Sequence, residues 1–117
     1  MKGYIELTGM KFHAPVGCLR KEKTEGNDIV VDFRCSYDIS AAAASDRLED
    51  TLDYSEIYRI AEKEVCRPAN LLENVAGRIA AAIEEKHPEL EHFTLKVSKK
   101  NPPVEGEAEY SAVELEK

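Results

Sequence analysis

Five polar side chains lie where predicted strands and helices begin or end, the places where binding and catalytic groups concentrate. Glu22 lies in the segment RKEKTEG between the first two strands, and Asp53 and Tyr54 precede a helix. Glu73 lies in the first turn of a second helix, and Lys99 ends the third strand. Polar groups at such places are candidates for a binding or catalytic site.

Each candidate also has a purely structural interpretation. Glu22 could be a solvated loop charge, and Lys99 could serve only solubility. Glu73 stands three residues after Asn70, which is the spacing of a helix capping box. Tyr54 could be the apolar staple of a helix start. Spacing along the chain does not decide between these interpretations.

Other kinds of chemistry are disfavoured by the motifs that the chain lacks. The histidines are His13, His87 and His92, and they form no HxH or HExxH motif, which argues against a metal site. His87 precedes a proline at a helix end, and we expect it to be solvated. The glycines form neither GxGxxG nor GxxxxGK, and no GxSxG elbow is present. We therefore expect no metal and no cofactor.

Composition indicates one globular domain covering residues 1–117. The net charge is −7, with 23 acidic and 16 basic residues, so nucleic acid and anionic membranes are not expected partners. Three cysteines without a CxxC pair argue against disulfides, and we expect Cys35 and Cys66 in the core. No signal peptide or membrane span is apparent, which predicts a cytoplasmic protein.

Hydrophobic periodicity predicts four strands. Residues 4–14 alternate until the apolar phase shifts at Gly9, as a β-bulge would produce. Residues 29–39 give the clearest period of two, with one polar face. Residues 93–98 and 113–116 alternate in the same way, and the prolines of the NPP segment lie in the loop between them.

Two helices separate the strand pairs. The first is expected to begin with a capping box of Asp53 and Glu56, and the second to run from Asn70 until His87-Pro88 stops it. The alanines at 41–44 predict a short helical turn. The order predicts an α+β fold, an antiparallel four-stranded sheet with two long helices on one face. Since its edges would be free, we expect a homo-oligomer that joins sheets across subunits.

Five segments in order carry a resemblance that covers nearly the whole chain. They are LTGMKFHAPVG, EKTEGNDIVVDF, LEDTLDYSEIY, NLLENVAGRIA and VSKKNPPVEG. In these segments the chain resembles the dihydroneopterin aldolase family, metal-free and cofactor-free carbon–carbon lyases of folate biosynthesis. The resemblance implies the tunnelling fold, in which a tetrameric ring of subunits closes a β-barrel. It also implies that two rings stack into an octamer with active sites at subunit interfaces.

The resemblance also implies which residues bind the substrate. Glu73 corresponds to the carboxylate that anchors the pterin, and a carboxylate can accept two N–H bonds from the aminopyrimidinone edge. The backbone near Leu72 and the chain around Leu52 correspond to further contacts with the same heterocycle.

Three residues correspond to the catalytic groups of the family. Lys99 corresponds to the general base that takes the side-chain hydroxyl proton, through a water molecule. Tyr54, reaching from a neighbouring subunit, corresponds to the acid that helps to protonate the enamine. Glu22 corresponds to an acid beside the hydroxylated tail. The family often epimerises the same substrate at C2′.

Four departures from the family pattern concern the pocket for the tail. Val16 stands where many members have His, and Asn27 replaces the usual Gln. Asn74 follows Glu73 where His is common, and Glu105 stands where a third proline is usual. These differences affect the expected balance of aldolase and epimerase activity more than they affect the anchor.

Two alternative functions remain open at this point. One is a dihydroneopterin triphosphate 2′-epimerase, for which Arg20, Lys21 and Lys23 would supply cations near the phosphates. The other is a non-catalytic pterin-binding ring, which would need mainly Glu73.

Overall fold

The computed structural model describes all residues from 1 to 117, as four strands, four α-helices and one 3₁₀ turn. In chain order these are β1 Lys2–Ala14, α1 Arg20–Glu25, β2 Asn27–Asp38, α2 Ser40–Ser45, the 3₁₀ turn Leu48–Asp50, α3 Tyr54–Val65, α4 Leu72–Lys86, β3 Phe93–Lys100 and β4 Tyr110–Glu116. The helices fall short of the length and apolarity needed to cross a bilayer.

The four strands form one antiparallel sheet in the order β1-β2-β3-β4, which confirms the predicted α+β architecture. The alternation along β2 places Ile29, Val31 and Phe33 in the core while Asp32 and Arg34 lie on the other face. The predicted bulge in β1 is also present. The register with β2 shifts between Leu7 and Met10, and Gly9 has a positive φ of 70°.

Helices α3 and α4 cover the apolar face of the sheet, and α3 contacts β1 while α4 contacts β3 and β4. Asp53 caps α3, because its carboxylate accepts the Ser55 N–H at 2.9 Å. The buried stripe of α4 is the one expected from a period of 3.6 residues. It consists of Leu72, Val75, Ala76, Ile79, Ala80 and Ile83.

Both predicted capping boxes are wrong, the one at α3 in its reciprocal half and the one at α4 in both halves. The N-cap of α4 is Leu71, without a side-chain cap, because the Asn70 amide oxygen instead accepts a hydrogen bond from Lys23. Glu56 does not return to the backbone of Asp53, since its carboxylate lies 3.0 Å from His87.

Two expectations about burial are also wrong. The His87 side chain is only 11% exposed, since it lies between the carboxylates of Glu56 and Glu89. Cys35 is buried as expected, but Cys66 is exposed at the C-terminal end of α3. The apolar stripe of α3 ends at Val65, so the next residue points away from the core.

Candidate active site

Glu22 and Lys99 form an ion pair although 77 residues separate them in the chain. The Lys99 ammonium donates to Glu22 Oε2 at 2.8 Å, and their side chains are only 15% and 8% exposed. Helix α1 holds Glu22 in the connection between β1 and β2. Lys99 reaches it because β3 pairs with β2 at Ile29. The solvated-loop interpretation of Glu22 is therefore wrong.

Three donors converge on the Glu22 carboxylate. The Leu19 N–H donates to Oε1 at 3.2 Å, and the Asn27 amide and Lys99 each donate to Oε2 at 2.8 Å. Burial by itself raises the pKa of Glu22, but the hydrogen bonds from Lys99, Leu19 and Asn27 outweigh it and lower the pKa below its ordinary value. Glu22 is therefore ionised at neutral pH, and its negative charge faces the lysine.

Gly17 makes room for this carboxylate. A Cβ atom at Gly17 would lie 2.3 Å from the Glu22 carboxyl carbon, and its φ of 145° is one that other residues rarely adopt. The N–H of Gly17 donates to the Ala69 carbonyl at 2.9 Å. The glycine thus positions the carboxylate and also joins its loop to the segment before α4.

That segment leads directly to Glu73, the pterin anchor that the resemblance implies. Val16 forms a parallel bridge with Ala69, and the Lys23 amine donates to the Asn70 side chain. Three residues after Asn70, Glu73 lies exposed in the first turn of α4 and makes no ion pair or side-chain hydrogen bond. Because α4 lacks a side-chain cap, its first N–H groups are also free to bind a ligand.

Leu72 and Leu52 have their side chains in the hydrophobic core. Only their backbone groups are therefore available to a ligand, as the resemblance implies for the helix start near Leu72.

Tyr54 is the first residue of α3, and 59% of its surface is exposed. It is therefore not a hydrophobic staple. The phenol makes no hydrogen bond within the chain, and no contact joins it to the pair of Glu22 and Lys99.

Three of the four departures from the family pattern make structural contacts. Val16 is buried in the core, and its carbonyl accepts the Asn27 amide at 2.6 Å. Asn74 accepts a hydrogen bond from Arg78 at 2.8 Å, while Glu105 is exposed in the loop before β4. The sequence alone did not indicate that Asn27 or Gly17 contacts Glu22. The one available signal was Gly17, the glycine that ends the APVG turn.

Comparisons with known proteins show the family and the fold of the chain. A family model described as dihydroneopterin aldolase matches residues 5–116. The dihydroneopterin aldolase of Bacillus subtilis strain 168 is 34% identical over 115 residues, which are 97% of this chain and 94% of the relative.

Two solved structures share the fold. The crystal structure of E. coli dihydroneopterin aldolase in complex with neopterin matches with a TM-score of 0.89 at 22% identity, over 98% of each chain. The Burkholderia thailendensis enzyme of the same name, bound to guanine, matches with a TM-score of 0.79 at 16% identity, over 99% of this chain and 90% of that one.

Proposed function

Because the chain belongs to the dihydroneopterin aldolase family, it is a carbon–carbon lyase, and we propose that Lys99 and Glu22 form its reacting centre. The substrate is 7,8-dihydroneopterin, and the products are 6-hydroxymethyl-7,8-dihydropterin and glycolaldehyde. The observation that carries the role of these two residues is their buried ion pair at 2.8 Å.

The reaction is a retro-aldol cleavage between C1′ and C2′. Loss of the 2′-hydroxyl proton turns that oxygen into the carbonyl of glycolaldehyde as the bond breaks. The bonding electrons move to C1′ and into the conjugated ring imine, which gives an enamine. Protonation of C1′ restores the imine and completes the second product. The imine serves as the electron sink, so the lysine need not form a Schiff base.

Lys99 is the proposed acceptor of the hydroxyl proton, through a water molecule. Because the ion pair contains the ammonium, Lys99 must first lose the proton that it donates to Glu22 Oε2 before it can act as the base. Glu22 already accepts from Leu19 and Asn27, so the carboxylate keeps its position while the proton moves.

Glu73 is the proposed anchor of the pterin ring. Its exposed carboxylate can accept two parallel N–H bonds from a 2-amino-pyrimidinone edge. Guanine presents the same edge, and a protein of the same fold binds guanine. The free N–H groups at the start of α4, near Leu72, and the backbone at Leu52 supply the remaining polar contacts.

Tyr54 is proposed to act from a neighbouring subunit as the acid that helps to protonate the enamine. Support comes from its exposure and from the absence of any partner in its own chain. The outer sides of β1 and β4 are unpaired, so sheets can join across subunits into the tetrameric ring and stacked octamer. A reducing compartment such as the cytoplasm suits the three free cysteines.

The experiment is to incubate the protein with 7,8-dihydroneopterin and a chelator and to measure glycolaldehyde. Wild type should release it, whereas Lys99→Ala should lose turnover on the order of 10²-fold or more with pterin affinity retained. Lys96→Ala is the matched control, because Lys96 is exposed on the same strand. Equal turnover in Lys99→Ala would remove Lys99 from the mechanism.

Glu73→Ala tests the anchor separately. We expect pterin binding to fall by about one to two orders of magnitude, since a charged hydrogen-bonding group contributes about 1.5–3 kcal/mol. Intact binding in this variant would refute the anchor role.

The triphosphate epimerase is less favoured by the geometry. Lys23 is engaged by Asn70, and the Lys21 amine lies 3.9 Å from Glu25. Turnover of dihydroneopterin triphosphate in preference to dihydroneopterin would reverse this ranking. Tight pterin binding without release of glycolaldehyde would instead favour a non-catalytic ring.

A further inference from the structure

His13 connects three parts of the chain close to Glu22. The residue lies near the end of β1, directly opposite Asp28 of β2. Its Nδ1 lies 2.8 Å from Asp28 Oδ1, and its Nε2 lies 2.7 Å from the Glu25 carbonyl oxygen at the end of α1. The ring therefore joins both strands of the first hairpin to the short helix that carries Glu22.

The chemistry of the two acceptors determines the charge of the ring. A backbone carbonyl and an ionised carboxylate both accept hydrogen bonds, and neither has a proton to donate. Both ring nitrogens must therefore carry a proton for both bonds to form. The observed geometry therefore requires the protonated imidazolium form of His13. Loss of either ring proton would break one of the two hydrogen bonds.

Gly26 lies against one edge of the ring of His13, whose side chain is otherwise 62% exposed. A Cβ atom at Gly26 would lie 2.6 Å from Nε2 of His13, and Gly26 has a positive φ of 78°. Its N–H donates to the Glu22 carbonyl at 3.0 Å. The ring thus lies over the turn by which the chain leaves α1.

The two groups that the ring holds lie on either side of Asn27. Glu25 lies two residues before it and Asp28 one residue after it. The Asn27 amide donates to both Glu22 Oε2 and the Val16 carbonyl. Whatever fixes the backbone on both sides of Asn27 also fixes this amide, and with it the carboxylate beside Lys99.

We propose that His13 is a positioning residue for the reaction, whose imidazolium clamps Glu25 and Asp28 and so holds Asn27 and Glu22 in place. The ring itself does not touch the proposed reacting groups, and its effect passes through Asn27. This inference rests on the proposed function of Glu22 and Lys99, and it adds a dependence on pH.

The charges around the ring favour its protonated form. Hydrogen bonds to Asp28 and then to Glu25 raise the pKa of His13 above its ordinary 6.5. The other charged groups nearby are the pair of Lys21 and Glu25 on α1 and Lys100 on β3, whose charge acts on Asp28. The clamp is therefore closed at pH values below the raised pKa and opens as the pH rises through it.

The test combines the pH profile of kcat with an NMR titration of His13. In wild type, kcat should fall on the alkaline side at the midpoint of the His13 titration. His13→Gln should lower kcat on the order of tenfold at pH values below that midpoint and abolish this step, with KM nearly unchanged, because displacement well below ~1 Å costs less than 10²-fold. His92→Gln is the matched control, since His92 is exposed and far along the chain.

Asp28→Asn gives a second, independent variant. It keeps an oxygen that can accept from His13 but removes the negative charge, so the step in kcat and the His13 titration should both move to lower pH. A purely structural role would not shift the profile. A His13→Gln profile identical to that of wild type, or a step that stays in place in Asp28→Asn, would overturn the clamp.

The NMR arm separates this inference from the proposed function. The side-chain NH₂ signals of Asn27 should shift together with the His13 titration, whether or not the protein turns over dihydroneopterin. Absence of glycolaldehyde from wild type would refute the function alone. Asn27 signals that do not respond to the His13 titration would refute the clamp alone.

Discussion

Gly17 has no side chain, and this leaves the space that the Glu22 carboxylate of the proposed reacting centre occupies. The Glu22 carboxylate lies against the Cα of Gly17, where a side chain of any other residue would stand. Its ion pair with Lys99 could not be predicted from spacing, because the two residues lie 77 positions apart and neither belongs to a local motif. Only the resemblance to a family grouped them, and it gave Gly17 no role.

Gly17→Ala should displace the carboxylate and reduce turnover. The new Cβ would overlap the Glu22 carboxyl group, and the φ of 145° would strain the backbone as well. We expect kcat to fall on the order of 10²-fold, as for a misplacement of ~1 Å. Gly77→Ala is the control, since nothing lies within 4 Å of its added Cβ. That variant should keep its activity and gain up to about 1 kcal/mol of helix stability.

The lowered pKa of Glu22 predicts how stability responds to acid. A carboxyl group with a lowered pKa in the folded state stabilises the protein above its ordinary pKa of 4.5 and loses that contribution as the pH falls through the folded value. Urea unfolding should show Glu22→Gln to be less stable than wild type by about 1–3 kcal/mol at pH 7. The gap should shrink near pH 3. An equal gap at both pH values would contradict this assignment.

At the scale of elements, periodicity predicted the long strands and helices because each buries one continuous face. It missed α1, whose sequence RKEKTE has no apolar stripe and buries only Glu22. It also misplaced the start of α4, because the Asn70 amide is engaged by Lys23 from another element. Local pattern therefore predicted the scaffold but missed the short helix at the candidate site.

Arg78 of α4 holds the turn that joins the two long helices. Its NH2 donates to the carbonyls of Glu64 and Arg67 at 2.7 and 3.0 Å, and its NH1 donates to the Pro68 carbonyl at 3.3 Å and to Asn74 at 2.8 Å. The next two residues of that turn, Ala69 and Asn70, contact the loop that carries Gly17 and the helix that carries Glu22.

Arg78→Met should remove these bonds and leave carbonyl groups without donors. We expect the free energy of unfolding to fall by about 2–4 kcal/mol, measured in urea. Arg59→Met is the control, because Arg59 is exposed on α3 and should change stability by no more than about 0.5 kcal/mol. Comparable losses in both variants would show that the turn does not depend on Arg78.

At the scale of the whole molecule, the proposed site requires a second chain. The sheet leaves an unpaired side on both edge strands, and Tyr54 points into solvent with no partner. Both features are accounted for if a second chain completes the sheet and receives the tyrosine.

Mixing two inactive variants tests this arrangement. Lys99→Ala and Tyr54→Phe should each be impaired alone, yet mixed oligomers formed by joint refolding should contain some sites with both groups intact. Random assembly at equal amounts would restore roughly a quarter of the sites. If mixed oligomers regain no activity, then either Lys99 and Tyr54 act from the same chain or one of them has no role in the reaction.

The route of the chain through its sheet also has a kinetic consequence. Strands β1 and β2 form one hairpin, and β3 and β4 form another. The two hairpins meet where β2 pairs with β3, for example at Cys35 and Phe93. Both long helices lie between these two strands in the sequence. Contacts so distant in the chain form late, because a large loop must close first. During synthesis the first half emerges earlier. A nascent or refolding chain therefore carries Glu22 without its cation until the halves join, so recovery of activity after dilution from denaturant should lag behind recovery of helix signal.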